Sequence, residues 1–302
     1  MQSIKHILID TDPGVDDALA LALAFMNEGL RIDLLTTVHG NISLAQSTEN
    51  ALKLLSFWGK HIPVAAGAAV PLTGKTVTAL SVHGPNGLGG LELPDPTCSV
   101  IEIDAVTAMD RVLKKADQPM TIVAIAPLTN IARLLQQHPE DREKISNLVI
   151  MGGAWGRGNA GVLSEFNIFN DPQAAEIVFN QGLTLTVLPL EIGRQAQIKK
   201  TILPTIAASG RVGRSIADML AGYRSGSKDA FNIYDALTMA YLAHPEYFTL
   251  VPAFVAIETS GRYTRGASLI DDRGKLKQSA NAKVAKSIDS VAFSHWFEQQ
   301  WQ

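Results

Sequence analysis

The chain has 302 residues, a net charge of −3, 46% hydrophobic residues and 18% charged residues. This composition is typical of a compact globular protein, and it provides no overall basic field that would attract nucleic acid or anionic lipid. Cys98 is the only cysteine, which excludes an intrachain disulfide and is compatible with a reducing compartment.

Membrane and export signals are also missing from the sequence. No apolar stretch approaches the roughly 18 residues expected of a membrane span, and the first residues have no basic leader followed by an apolar run. We therefore expect a cytoplasmic protein that acts on a small molecule and has neither nucleic acid nor membrane as a partner.

Segments typical of strands and helices alternate through the first two thirds of the chain. Strands are predicted at residues 4–9, 32–38, 63–66, 120–125, 148–151 and 183–188. Helices are predicted at residues 16–27, 44–58, 105–115, 130–137 and 172–179, and later at 212–223 and 235–243. This alternation favours an α/β fold with a mostly parallel central sheet flanked by helices.

No repeat, low-complexity tract or long linker divides the chain. Residues 1–302 are therefore predicted to form a single Rossmann-like domain, a length that single α/β domains reach. Residues 71–96 are rich in glycine and proline. They predict an irregular loop of the kind that often covers a site.

Four carboxylates are crowded into eight residues between the first predicted strand and the first predicted helix. The segment reads Asp10-Thr11-Asp12-Pro13-Gly14-Val15-Asp16-Asp17. Acids this close repel each other unless a cation, a proton or a helix N-terminus stabilises them. Open α/β sheets bind their ligands at the carboxyl ends of the strands, so the segment predicts a metal or polyol site.

Three kinds of site contain such acids. A calcium helix-loop-helix loop is excluded, because its twelfth position would be Leu21 rather than glutamate and a strand precedes it. A haloacid-dehalogenase-like phosphatase also begins with a strand and Asp-x-Asp, but the surroundings of Asp271-Asp272 do not match its later acidic motif. The third is a site where some acids bind a hard cation and others accept hydrogen bonds from sugar hydroxyls.

The acidic segment resembles the signature of the inosine–uridine-type nucleoside hydrolase family. Further segments follow in that family's order and spacing: residues 36–41 (Thr-Thr-Val-His-Gly-Asn), 82–84 (Val-His-Gly) with Gly87, 127–132 (Pro-Leu-Thr-Asn-Ile-Ala), 149–153 (Val-Ile-Met-Gly-Gly), 165–168 (Glu-Phe-Asn-Ile) with Asp171-Pro172, and 255–263. The similarity extends through nearly the whole chain and implies the nucleoside hydrolase fold.

The resemblance implies a bound Ca²⁺ ion and a role for each matching residue. Asp12 matches the general base, which activates the attacking water and also contacts the metal. The other metal ligands implied are Asp17, Asp235 and the main-chain carbonyl of Ile125. The residues that match ribose-binding positions are Asp16, Asn41, Asn159, Glu165 and Asn167.

Taken without the resemblance, several of these residues have simpler explanations. Asn41 and Asn159 follow or precede glycines and suit turns, and Asp235 opens a predicted helix and suits a cap. Glu165 and Asn167 alternate about Phe166, which is unusual for a surface strand and favours function.

The sequence departs from the family where the nucleobase leaves. Many members have histidine immediately before the distal aspartate, as the acid that protonates the base, whereas this chain has Tyr234. Tyrosine is a weaker acid than histidine by roughly 3.5 pK units. His83 and Tyr223 are the other candidates for this end of the site, and Trp155 is a candidate for stacking on the base or for packing. Pro85-Asn86 replaces the family's common Glu-Ser.

The leading hypothesis is a calcium-dependent hydrolase that cleaves ribonucleosides to free base and ribose in purine or pyrimidine salvage. One alternative is an N-ribohydrolase for a modified or nicotinamide-type riboside, and another is a nucleoside-binding protein that has lost leaving-group activation. The resemblance also implies a homotetramer or homodimer.

Overall fold

The computed structural model describes residues 4–302, which contain eleven strands. The strands are β1 (Lys5–Thr11), β2 (Leu30–Thr37), β3 (Val64–Ala66), β4 (Met120–Ala124), β5 (Ile145–Met151), β6 (Leu185–Leu188), β7 (Ile198–Lys199), β8 (Ala230–Phe231), β9 (Phe248–Ile257), β10 (Ser268–Asp271) and β11 (Ala282–Ile288).

Twelve α-helices lie in the same described range. They are α1 (Val15–Met26), α2 (Leu44–Trp58), α3 (Leu80–His83), α4 (Ala105–Lys115), α5 (Thr129–Gln137), α6 (Phe166–Asn170), α7 (Pro172–Phe179), α8 (Leu190–Gln195), α9 (Leu203–Ala208), α10 (Arg211–Gly222), α11 (Ala236–Ala243) and α12 (Ser290–Gln299). None of the helices described is long and apolar enough to cross a membrane.

Nine strands form one mixed sheet in the order β10-β9-β11-β6-β5-β4-β1-β2-β3. Every neighbouring pair from β11 to β3 is parallel, whereas β9 is antiparallel to both β11 and β10. Strands β7 and β8 form a separate two-stranded sheet. The predicted α/β fold with a mostly parallel sheet is confirmed.

Helices cover both faces of this sheet, which is why the inner strands are continuously apolar. In β1, Ile7 and Ile9 are fully buried against one layer, and Leu8 is buried against the other. The period-2 alternation of strand side chains sends successive residues to opposite faces. Burial of each such side chain contributes roughly 1.5–3 kcal/mol, so the central strands are the most firmly held part of the fold.

The predicted strands and helices of the first two thirds are present, with bounds that differ by a few residues. The first strand continues to Thr11, so Asp10 lies within the strand rather than after it. Residues 71–96 are irregular, as predicted, except for the four-residue helix α3.

A candidate active site at the carboxyl edge of the sheet

The site lies where the direction of strand order reverses. The chain passes from β1 outward to β2 and β3 on one side, while β4 pairs with β1 on the other side and leads to β5. Helices that leave in opposite directions open a crevice at such a switch point. The turn after β1 and Ile125, which follows β4, line this crevice.

The turn between β1 and α1 fixes the carboxylate of Asp17. Its Oδ2 accepts a hydrogen bond from Gly14 N at 2.9 Å, and its Oδ1 accepts one from Thr11 Oγ1 at 2.7 Å. Asp17 is in the first turn of α1, where the helix dipole also favours negative charge. This position explains how the turn tolerates a buried acid.

Asn41 connects the turn after β2 to the acids after β1. Its backbone N donates to Asp12 Oδ2 at 2.5 Å, and its Nδ2 donates to Asp17 Oδ2 at 3.1 Å. The close approach requires Gly40, because a Cβ there would lie 1.9 Å from Asp12 Oδ2. Asn41 is therefore part of the site and does more than form a turn.

Four aspartates are buried together at this edge: Asp12, Asp16, Asp17 and Asp235, none more than 4% exposed. Burial, reinforced by their mutual repulsion, raises the pKa of Asp12 and Asp235 well above the ordinary value and raises the pKa of Asp17. Burial also raises the pKa of Asp16 to about 6. Such a cluster is unfavourable when ionised unless a cation compensates its charge.

The donor set fits a hard divalent cation. Carboxylate oxygens of Asp16, Asp17 and Asp235 lie within 4.8 Å of one another. Oδ1 of Asp12 is buried and has no hydrogen-bond partner among the residues that the structure describes. The Ile125 carbonyl accepts a long hydrogen bond, 3.4 Å, from Asn167 Nδ2. Carboxylate and carbonyl oxygens are the ligands that Ca²⁺ prefers.

Glu165 and Asn167 lie at the start of the short helix α6 (Phe166–Asn170). Glu165 is the N-cap of α6, and its carboxylate accepts hydrogen bonds from the backbone N of Asn167 at 2.8 Å and of Ile168 at 3.1 Å. Asn167 Nδ2 donates to Met151 O at 3.1 Å. Burial raises the pKa of Glu165 to about 7. Both side chains are held rigidly beside the aspartates.

A cavity of about 380 Å³ brings most of the predicted residues together. Its walls include polar side chains from several parts of the chain. They are Asp16, Asn41, His83, Asn159, Glu165, Asn167, Tyr223, Tyr234 and Asp235. Asp12 and Asp17 lie just behind this wall and are fully buried. Asn159 is exposed at the rim, where its backbone N donates to Ser164 O at 3.1 Å.

His83 enters the cavity from α3 with its Nδ1 already engaged. Val15 N donates to His83 Nδ1 at 3.1 Å, so this nitrogen accepts and the neutral ring carries its proton on Nε2. Burial lowers the pKa of His83 to about 4. The ring centroid lies 5.4 Å from that of Tyr223. His83 is therefore built to donate one hydrogen bond from Nε2 as a neutral imidazole.

Tyr223 and Tyr234 are protonated side chains that line the same cavity as His83. Burial raises the pKa of the Tyr223 hydroxyl well above its ordinary value, and Asp16 and Asp235 add to this effect. Burial also raises the pKa of Tyr234, which is half-buried. Neither phenol loses its proton near neutral pH, so both can donate hydrogen bonds.

Trp155 lies outside the cavity, so it packs against the protein and does not stack on the base. Its Nε1 donates to Ala285 O at 2.9 Å, and Lys286 Nζ lies 5.5 Å from the ring centroid. The side chain packs against β11 and does not face the cavity.

Two buried polar groups behind the site were missed from the sequence. Asp10 accepts hydrogen bonds from Thr36 Oγ1 at 2.5 Å and Asn130 Nδ2 at 2.8 Å, and burial raises its pKa to about 7. Thr129 Oγ1 donates to Asp171 Oδ2 at 2.7 Å and lies 3.0 Å from His39 Nε2. Asp10 could have been identified from the sequence, since it is the first acid of the cluster. No sequence feature indicated that His39 contacts Thr129.

Comparison with known proteins gives a consistent result. The family model for inosine-uridine preferring nucleoside hydrolases matches residues 7–295. A protein named non-specific ribonucleoside hydrolase RihC from Salmonella paratyphi B is 43% identical over 297 residues, covering 98% of this chain and 97% of that protein.

Solved structures of similar proteins superpose over nearly the whole chain. A plant nucleoside hydrolase has a TM-score of 0.92 at 29% identity, and a purine-preferring ribonucleoside hydrolase from Gardnerella vaginalis has a TM-score of 0.91 at 27% identity. Each comparison covers 98% of both chains.

Proposed function

The chain belongs to the inosine-uridine preferring nucleoside hydrolase family, and we propose that it hydrolyses the N-glycosidic bond of ribonucleosides with a bound Ca²⁺ ion. The products are a free nucleobase and ribose. One observation carries the proposal: four buried aspartates lie at the closed end of a cavity whose walls hold Asn41, Glu165 and Asn167.

The metal would be held by Asp12, Asp17, Asp235 and the Ile125 carbonyl, all oxygen donors. Two observations support this set: the unpartnered Oδ1 of Asp12 and the raised pKa of the aspartates, which a divalent charge would reverse. When bound, Ca²⁺ supplies positive charge that lowers the pKa of a nearby water and orients sugar hydroxyls.

Asp12 is the proposed general base. The hydrogen bond from Asn41 N to its Oδ2 holds the carboxylate in place to accept a proton from the water that attacks C1′ of the ribose. The reaction passes through a state with oxocarbenium character, in which positive charge develops on the sugar ring. Buried carboxylates beside the ring stabilise that charge.

The ribose would be held by Asp16, Asn41, Asn159, Glu165 and Asn167. Carboxylate and amide oxygens accept hydrogen bonds from hydroxyls, and the amide nitrogens of asparagine donate them. This density of acceptors favours a substrate with vicinal hydroxyls. A 2′-deoxyribonucleoside would leave buried acceptors without partners and is expected to react poorly.

His83, Tyr223 and Tyr234 are proposed to act on the departing base. Because His83 is neutral and donates only through Nε2, it stabilises negative charge on the base by hydrogen bonding and does not need to lose a proton. Tyr234, in the position of the usual histidine, supplies a second hydroxyl donor. These contacts can serve purine and pyrimidine bases alike, in agreement with the name non-specific given to the Salmonella relative.

A more specialised substrate remains the second candidate, because Tyr234 replaces the usual acid. A nicotinamide-type riboside carries a base that leaves without protonation, so it would react without any acid at position 234. The chain is proposed to act in the cytoplasm as a homotetramer or homodimer, which the family resemblance supports.

Release of free base from inosine, adenosine, uridine, cytidine and nicotinamide riboside tests the proposal. The reactions are run with Ca²⁺, with chelator and with the Asp12→Asn variant. Release that requires both Ca²⁺ and Asp12 is the expected result. Calcium-independent release would contradict the metal's role, and release from nicotinamide riboside alone would favour the specialised substrate.

A further inference from the structure

Three potential metal ligands converge at the opposite edge of the sheet. Asp110 is on α4, His138 ends α5, and Asp141 lies in the 3-10 helix Pro139–Lys144 that leads into β5. Their ligand atoms all lie within 4.8 Å of one another. Because β4 and β5 begin here, this cluster is separated from the cavity by the length of the strands.

Asp141 is an unusual residue in this cluster because its carboxylate has no partner. The residue is 1% exposed, and neither oxygen meets a hydrogen-bond donor within the described part of the chain. An unpaired buried carboxylate is costly, and native proteins normally pair it with a donor or a metal. Burial, with repulsion from Asp110, raises the pKa of Asp141 to about 6.

The nearby cation does not compensate the cluster. Lys114 Nζ lies 2.5 Å from Asp110 Oδ1 and 3.1 Å from Glu140 Oε1, and no contact with Asp141 is found among residues 4–302. His138 Nδ1 lies 3.2 Å from Asp110 Oδ1. Three carboxylates, those of Asp110, Glu140 and Asp141, therefore face one ammonium group, and this excess of carboxylates suits a divalent cation.

We propose that Asp110, His138 and Asp141 form a second metal site, which binds a first-row transition ion of the Zn²⁺ class. The imidazole nitrogen favours such an ion over Ca²⁺ or Mg²⁺, which prefer oxygen ligands alone. Zn²⁺ bonds of roughly 2.0–2.2 Å hold donors about 3.5 Å apart. The three side chains need to close by only a small distance.

The position of the site makes its effect structural. The ion links the middle of α4 to the segment that joins α5 to β5, and it contacts no residue of the cavity. We therefore expect Zn²⁺ to raise the midpoint of thermal unfolding and to leave kcat unchanged. Binding to the folded state alone always shifts stability in this direction.

Isothermal titration of calcium-saturated protein with Zn²⁺ tests the proposal. The expected result is one equivalent of Zn²⁺, with affinity reduced at least ~10-fold in both His138→Ala and Asp141→Asn. The equivalent should persist in an Asp17→Asn background, which removes a proposed calcium ligand. Co²⁺ as a probe should give visible absorption bands that His138→Ala abolishes.

His6→Ala is the matched control. His6 Nδ1 also lies beside a carboxylate, 2.6 Å from Asp33 Oδ2, but it belongs to no three-ligand group. Its removal should leave the titration unchanged. Asp141→Asn keeps the shape of the side chain and removes a buried charge, so it should fold even if His138→Ala does not. Absence of Zn²⁺ binding, or binding that neither variant weakens, would overturn the proposal.

Discussion

The two ends of the cavity are built in different ways. The inner end consists of buried side chains at strand ends and helix starts, such as Asp17 and Asn41, whose polar atoms are held by backbone groups. The outer end includes Ser81 on the four-residue helix α3 and Arg224 on an irregular segment, both exposed, and the half-buried Tyr234. The inner end is rigid and the outer end can change sequence at little cost to the fold.

This contrast separates the chemistry from the choice of base. A preorganised inner end can bind ribose and activate water in the same way for every substrate. The side chains proposed to contact the base, His83, Tyr223 and Tyr234, lie at or next to the ends of helices, close to connecting segments that tolerate substitution. The fold therefore fixes the sugar that is recognised, while preference among bases depends on few contacts.

Asp12→Asn should have the largest effect, because it changes the inner end directly. The amide is nearly isosteric but cannot accept a proton, so kcat should fall by about 10²–10⁴-fold. Removing a buried carboxyl whose pKa is raised should keep or increase thermal stability in chelator. Steady-state kinetics and thermal unfolding, measured on the same preparation, separate these effects.

Comparable losses for all bases would confirm that Asp12 acts on the common sugar chemistry. Asp33→Asn is a matched control, since Asp33 is an aspartate far from the cavity that pairs with His6. A loss restricted to purine or to pyrimidine substrates would contradict the separation between the two ends.

Substitutions of His83 should have the next largest effect on kcat. They test whether His83 belongs to the inner or the outer end of the cavity. His83→Phe removes both the acceptor for Val15 N and the Nε2 donor, and kcat should fall about 10²-fold, as for loss of one preorganised donor. His83→Gln offers an oxygen acceptor and an amide donor, so it should retain more activity. Equal losses in both variants would instead indicate transfer of a proton from the imidazole.

The inner end was the part that the sequence predicted best. Asp12, Asp16 and Asp17 lie within one short turn, so local sequence nearly determines their proximity, and Asp235 and Asn41 joined them as the family resemblance implied. The strand alternation likewise predicted the parallel sheet. No individual strand was predicted at β9–β11, so the antiparallel edge of the sheet was found only in the structure.

The features that the sequence did not reveal are those where tertiary contacts decide the role of a residue. No feature of the sequence indicated that the carboxylate of Glu165 caps a helix. The use of His83 Nδ1 by Val15, 68 positions away along the chain, could not be predicted from either segment. The lack of a hydrogen-bond partner for the Asp141 carboxylate among the described residues could likewise be recognised only in the folded structure.

The pH dependence of metal-free stability should show a smaller effect, to which the inner end and Asp141 at the opposite edge of the sheet both contribute. The pKa values of Asp10 and Glu165 are raised to about 7, and that of Asp16 to about 6. Between about pH 4 and 7 the folded chain therefore binds more protons than the unfolded chain. Its stability is greatest at low pH and falls as pH rises through these pKa values.

Thermal unfolding in chelator from pH 5 to 7.5 measures this effect. We expect the midpoint to fall by about 2–5 °C, and Ca²⁺ should reduce the fall by compensating the aspartates. Asp10→Asn should flatten the profile in chelator because it removes one of the carboxyls whose pKa is raised. A midpoint that rises with pH in chelator would show that these carboxyls are already ionised in the folded protein.

Tyr234→Phe should have the smallest effect and the one that depends most on the base. The change removes a single hydroxyl from a half-buried ring, and loss of one hydrogen bond of about 0.5–1.5 kcal/mol reduces kcat/KM roughly 2- to 10-fold. Because the phenol faces the outer end, the ratio between inosine and uridine should change while the requirement for Ca²⁺ stays. A uniform loss of 100-fold or more for all bases would place Tyr234 in the common chemistry and remove the distinction between the two ends of the cavity.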